Sequence, residues 1–171
     1  MTFQTSINVL QGFGVPGELH TDGPHRAESL IINSAGATPN TYGFAATKSN
    51  ATNVAVMGGA ITNGSTVFAG LMANPKAAAL WGTTSGTLAP TLVIPDNSQA
   101  DFVTMGDVVV QVGTACNIGD LVAYNTTTGA LTTYAPGGSA GTGKATVPNA
   151  VVYRYPVAAS SGGLTVVRLT N

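Results

Sequence analysis

Short apolar runs broken by glycine, proline, asparagine and aspartate recur along this chain, with apolar and polar positions alternating inside many of them. That spacing predicts strands, because successive strand side chains point to opposite faces and the breaking residues favour turns. The runs are Ser29–Asn33 (SLIIN), Thr41–Thr47 (TYGFAAT), Asn53–Met57 (NVAVM), Thr66–Leu71 (TVFAGL), Thr91–Ile94 (TLVI) and Asp107–Gly113 (DVVVQVG). Asp120–Tyr124, Ala130–Tyr134, Ala150–Tyr155 and Leu164–Leu169 complete the series. Roughly ten strands with a turn signal about every dozen residues predict an all-β sandwich or barrel.

One short helix is expected beside them. Asn74 caps it, Pro75 takes its first position, KAAALW follows, and Gly82 ends it. One or two turns cannot form a layer, so the architecture must be built from sheet. Ile118–Tyr134 predicts a hairpin around an Asn-Thr-Thr-Thr-Gly loop, with Gly129 supplying the positive φ. Met105–Val108 (MGDV) and Ile118–Leu121 (IGDL) both read as Gly-Asp entries into a strand. Ala135–Lys144 (APGGSAGTGK) predicts an exposed loop. It is no phosphate loop, because alanine and not a hydroxyl residue follows Lys144.

Composition narrows the function. Of 171 residues only 8% are charged, against about 25% in an ordinary globular protein. The net charge of −1 offers no electrostatic footprint for nucleic acid or an anionic membrane, and neither is expected as a partner. Low net charge favours association, which suits a protein that works in an assembly. Apolar residues at 44% argue against disorder. The lone Cys116 excludes an internal disulfide and reads as a small buried thiol. No apolar run approaches the length of a membrane span, and the start MTFQTSINVL lacks the pattern of a secretory signal.

Chemistry-bearing residues concentrate in QGFGVPGELHTDGPHRAES, residues 11–29, which holds both histidines and four of the thirteen charged side chains. His20, Asp22, His25 and Glu28 form a possible metal set, but they surround the turn Asp22-Gly23-Pro24 and no helix aligns them. A surface turn is the plainer reading, and no metal or cofactor is expected. No G-x-S-x-G elbow is present, and four of the seven acids (Asp22, Asp96, Asp107, Asp120) stand in turn-like positions beside Gly, Pro or Asn. Catalysis needs convergent titratable groups, so an enzyme is not expected. Tyr153, Arg154 and Tyr155 alternate in a way that suits base stacking, although a sheet with one aromatic face explains them as well. Phe3, Phe13, Val15 and Pro16 lie on glycine-flanked backbone before the first strand. The expected organisation is an N-terminal arm, residues 1–17, and one domain, residues 18–171. The arm's apolar side chains suit docking on a neighbouring protein, by strand addition to its sheet edge, or folding back over their own domain. Arg26 and Glu28 are expected to pair at its base.

GVPGELHTDGPHRAES (Gly14–Ser29), the Gly58-Gly59 doublet and FAGLMANPKAAALWGTTSGTLAPTLVIP (Phe68–Pro95) resemble a family of tailed-bacteriophage structural cement, or capsid decoration, proteins. So do MGDVVVQV, IGDLVAYNTTTGAL and the closing VPNAVVYRYPVAASSGGLTVVRLTN. The resemblance runs over nearly the whole chain and is most specific at Asp22-Gly23-Pro24-x-Arg26 and at Asn74-Pro75-Lys76. It implies a jelly-roll-like β-sandwich, with a β-tulip or barrel decoration fold as the alternative. It further implies a virion protein, made in the host cytoplasm, that coats the outside of the head and clamps neighbouring major capsid proteins. A dimer is the expected form and a trimer the alternative. The capsid-contact candidates are Phe3, Phe13, Val15, Pro16, Asp22 and Arg26. A rival reading is a receptor- or glycan-binding head protein, with Trp81, Tyr134 or Tyr153 lining a shallow sugar site.

Overall fold

The computed structural model describes residues 14–20, 23–36, 39–74 and 93–170. Eleven strands follow in chain order. The first six are β1 (Arg26–Ile32), β2 (Asn40–Thr41), β3 (Ala45–Ser49), β4 (Val54–Met57), β5 (Thr66–Met72) and β6 (Val93–Ile94). Then come β7 (Ser98–Val112), β8 (Leu121–Asn125), β9 (Leu131–Tyr134), β10 (Lys144–Arg154) and β11 (Gly163–Leu169). The described residues contain no helix. The expected one, from Pro75 to Gly82, lies outside them.

Nine strands form one sheet in the order β1-β4-β3-β5-β7-β11-β10-β8-β9, and two further pairings, β1–β7 and β7–β9, close it. The result is two five-stranded rings that share β7. Ring one holds β1, β4, β3, β5 and β7, and ring two holds β7, β11, β10, β8 and β9. Strands β2 and β6 form a separate small ladder, Asn40 opposite Ile94. The closed sheet matches the barrel expectation. It departs from the expected jelly-roll sandwich, which stacks antiparallel strands in two sheets, because β1–β4 and β7–β9 are parallel pairs.

Strand β7 is where the sequence misleads most. The Gly-Asp pair at 106–107 reads as a strand entry, yet the strand starts at Ser98 and runs through it. Gly106 has φ +127, a conformation that lets a glycine bend the strand without ending it. Before the bend β7 pairs with β1 and β5, and after it with β11. Asp107 therefore sits inside a strand and not in a turn.

Each ring encloses its own apolar cluster. Leu30, Ile32, Ala46, Ala55, Met57, Ala69, Met72, Ala100 and Phe102 fill ring one. Glu28 shares the inward face of β1 with Leu30 and Ile32 by strand alternation. There Lys48 Nζ meets both of its carboxylate oxygens at 2.6 Å. Ring two is filled by Val108, Val110, Val112, Val122, Tyr124, Leu131, Val147, Val152, Val167 and Leu169, with Cys116 buried among them. The expected hairpin is present as β8–β9, Leu121 opposite Tyr134, with Gly129 at φ +78.

The rings are stitched at Gly58-Gly59 and Gly129. Ala45 N–H donates to Gly129 C=O at 2.9 Å, Gly58 N–H to Ala45 C=O at 2.9 Å, and Gly59 N–H to Thr126 C=O at 2.7 Å. The Tyr124 hydroxyl donates to Gly59 C=O at 2.9 Å. A Cβ at Gly58 would lie 2.8 Å from Thr126 O, so the backbones meet with no room for side chains. A last clamp holds Ser34, Gly36 and Asn40. The Asp96 carboxylate accepts from Ser34 N–H at 2.8 Å, Gly36 N–H at 2.7 Å and Asn40 Nδ2 at 2.9 Å. The Asn40 bond first, then the backbone donors, hold this carboxyl below its usual range.

Candidate functional site

The glycine-rich N-terminal stretch enters the fold through a turn. Pro16 and Gly17 (φ +84) occupy its centre, and Glu18 N–H donates to Val15 C=O at 3.0 Å. Proline followed by a positive-φ glycine is the chemistry of a type II turn. Beyond it the chain lies along β7. Gly17 N–H donates to Val109 C=O, Val109 N–H to Glu18 C=O, and His20 N–H to Asp107 C=O, each at 2.8 Å. Asn74 N–H donates to Gly17 C=O at 2.8 Å, and a Cβ at Gly17 would stand 2.8 Å from Met72 O. Gly17 therefore roots the stretch, because no other residue fits that contact.

The sequence-predicted contact residues fall as follows. Val15 is 43% exposed and Pro16 half-buried at the turn. Arg26 is exposed at the start of β1, and its Nε–H donates to Thr104 Oγ1 at 3.3 Å. Phe3, Phe13 and Asp22 lie outside the described residues. The expected Arg26–Glu28 pair is replaced by Lys48–Glu28. The β1–β7 register shifts between Arg26 and Ala27, which takes Arg26 out of line with Glu28.

A second group of polar side chains gathers where this root meets β10 and β11. Arg168 grips Asp107 with two bonds, Nε to Oδ1 at 2.7 Å and Nη2 to Oδ2 at 2.8 Å. The Asp107 side chain is only 8% exposed, so the pair sits at the edge of the interior. The Arg168 guanidinium lies 3.4 Å above the Tyr153 ring centre, and that of Arg154 4.9 Å from it. Arg154 first and Arg168 second hold the Tyr153 phenol below its ordinary value, since both cations favour phenolate. The Asp107 bonds likewise raise Arg168. Arg154 Nη1 stands 3.3 Å from His20 Nε2. Arginine only donates, so Nε2 is the acceptor side of this contact. Tyr155, at φ +59, places its ring edge-on to His20, centroids 6.3 Å apart.

This geometry redirects the candidate metal set. His20 turns to Arg154 and Glu28 to Lys48, Asp22 lies outside the described residues, and among those described no three possible ligands converge. Two of the three candidate sugar-binding aromatics are similarly engaged. Tyr134 bonds through its hydroxyl to Thr146 at 2.8 Å, Tyr153 lies under Arg168, and Trp81 is outside the described residues. Two hollows open beside the Gly106 bend and share Thr170. One, of about 550 Å³, is walled by Arg26, Ala27, Glu28 and Phe68, and the other, of about 410 Å³, by Gly23, Pro24, Met105 and Arg168. Sequence reasoning missed both hollows and the Asp107–Arg168 and Glu28–Lys48 pairs. No local pattern joins residues 61 or 20 positions apart.

What the described surface offers is an N-terminal stretch bonded to β7 by its backbone and an arginine held by Asp107 over Tyr153. The same fold occurs in a chain of the solved structure "The capsid of Myoviridae Phage XM1". That chain is 18% identical, with a TM-score of 0.66, and the match covers 100% of this chain and 99% of that one. No curated protein matches the sequence. A family model does, that of the structural cement protein (E217 gp24/Pam3 gp6), over residues 3–170. The chain belongs to this family of phage structural cement proteins.

Proposed function

We propose that this protein binds the outer surface of a phage head and clamps neighbouring major capsid proteins, stabilising the expanded shell. The family match over residues 3–170 carries the reading. Residues 1–17 act as the attachment arm on the domain formed by residues 18–171. Phe3, Phe13, Val15, Pro16, Asp22 and Arg26 make the capsid contacts, and the working unit is a dimer. The Gly17 root supports this role, because an arm anchored to β7 by backbone bonds transmits load directly into both rings. Few charges and two closed rings suit a part packed in many copies on one shell.

Each copy needs only modest affinity, since contacts bridging several shell subunits act at high effective concentration. Binding the expanded shell and not its precursor stabilises the former by mass action. The test is to mix the purified protein with expanded, undecorated heads and measure occupancy and heat resistance. Saturable occupancy with a raised disruption temperature is expected, and heads that remain bare at saturating protein refute the proposal. A chain lacking residues 1–13, which keeps the Gly17 root, is expected to bind much more weakly. Unchanged occupancy refutes the arm role alone.

A further inference from the structure

Strand β1 is paired along only part of its length. On one side its whole length faces β7, from Arg26 opposite Met105 to Ile32 opposite Ser98. On the other side β4 reaches it only at Ile31 and Ile32. Alternation fixes which backbone groups point where. Ile32 C=O accepts from Asn97 N–H at 2.7 Å at the end of β7, so Glu28, Leu30 and Ile32 address β7. Asn33 N–H donates to Ala55 C=O at 2.8 Å beyond the end of β1, so the odd residues address β4. Ala27 and Ser29 are odd, exposed, and beyond the reach of β4. Among the described residues no strand pairs with Ala27 or Ser29 on that side.

That bare edge borders the hollow walled by Arg26, Ala27, Glu28 and Phe68. Each acid beside this edge is already engaged, Asp101 by the Ser29 hydroxyl. Glu28 is neutralised by Lys48, whereas Arg26 spends only its Nε–H, on a neutral threonine. Half-buried Phe68 supplies an apolar wall.

We propose that the Arg26–Ser29 edge of β1 is a strand-addition site that takes an extended, acid-bearing segment of the shell protein. Main-chain bonds to Ala27 and Ser29 supply affinity, and a carboxylate on Arg26 with an apolar side chain on Phe68 supplies register. The chain's own residues 1–13 contain neither aspartate nor glutamate and bring no partner for Arg26. The occupant is therefore a segment of another protein. The identity of that protein rests on the cement reading proposed above.

Two measurements on the full chain test it. Amide hydrogen exchange of Ala27 and Ser29 is compared between free protein and protein on expanded, undecorated heads, and slowing by about tenfold or more is expected where a strand docks. In parallel, a synthetic peptide of alternating valine and threonine with one central glutamate is titrated against the protein, with glutamine and lysine versions beside it. The glutamate peptide is expected to bind about tenfold more tightly than the glutamine one, a difference that Arg26→Glu abolishes and shifts toward the lysine peptide. Bound heads with unchanged exchange at Ala27 and Ser29, or peptides that bind without charge preference, overturn the edge site while the cement reading stands. Heads left bare while the glutamate peptide protects Ala27 and Ser29 sink the cement reading and leave the edge site in place.

Discussion

Replacing Gly129 by alanine tests the seam between the two rings. At φ +78 an alanine carries the steric penalty of left-handed backbone, about 1–2 kcal/mol. Its methyl group would also land on the Ala45 carbonyl oxygen and 2.9 Å from Gly58 N. Relief requires the hairpin to back away, which breaks the Ala45–Gly129 and Gly59–Thr126 bonds, each worth about 1 kcal/mol net. The sum, about 3–4 kcal/mol, is a large fraction of the roughly 5–15 kcal/mol that holds a typical domain together. For a chain of this size each kcal/mol moves Tm by about 2–4 °C, so a fall of about 6–16 °C is expected by differential scanning calorimetry. Gly137→Ala is the control. Gly137 has φ +82 but nothing within 4 Å of a built Cβ, so it isolates the backbone penalty. Equal losses in the two variants would show that the seam contributes nothing beyond backbone conformation, and the account of the ring junction would fail.

Three further outcomes follow from the titrating groups. Burial pushes the Tyr124 phenol up to about 12 from its ordinary value of 10.0, so the unfolded chain ionises first and stability should fall as pH rises from 10 toward 12. Urea midpoints across that range check it, and Tyr124→Phe should flatten this component while costing the bond to Gly59 at every pH. The Asp96 carboxyl is held below its usual range, so its contribution is present at neutral pH and lost as pH falls below about 4. Asp96→Asn should remove that part of the acid dependence in an acid-unfolding curve. Arg168→Ala strips the cation from Tyr153 and leaves the Asp107 carboxylate without its bidentate partner. It should lower Tm and return the alkaline ultraviolet titration of Tyr153 toward an ordinary phenol.

How far the sequence disclosed this fold depends on whether a signal was local. The β8–β9 hairpin was legible because its apolar alternation and Gly129 lie within one short window. Strand β11, Gly163–Leu169, came through for the same reason. Thr41–Thr47 read as one strand but divides into β2 and β3 around Gly43, whose φ of +77 faces the Gly17 backbone. The first half of β7 was overlooked because Ser98, Gln99 and Asp101 dilute the apolar pattern, although Ala100 and Phe102 are buried two apart. The same holds for the start of β10, where Pro148 and the positive φ of Asn149 interrupt the run. Ring closure had no local signature at all, since Arg26 meets Met105 only in three dimensions. The candidate site divides likewise. The N-terminal stretch stood out by composition, whereas its partners on β7 and β11 depend on the closed topology.

Sharing β7 also orders events as the chain leaves the ribosome. The last strand of the first ring is complete at Val112, and that ring can then close on strands already synthesised. The second must wait for β11, Gly163–Leu169, the strand that follows all the others in the order given. Until then the far half of β7 lacks the neighbour that covers it from Gly106 to Val112. Translation that stalls or stops short of β11 therefore yields a half-closed molecule with a naked valine-rich strand, and quality control has a defined species to recognise.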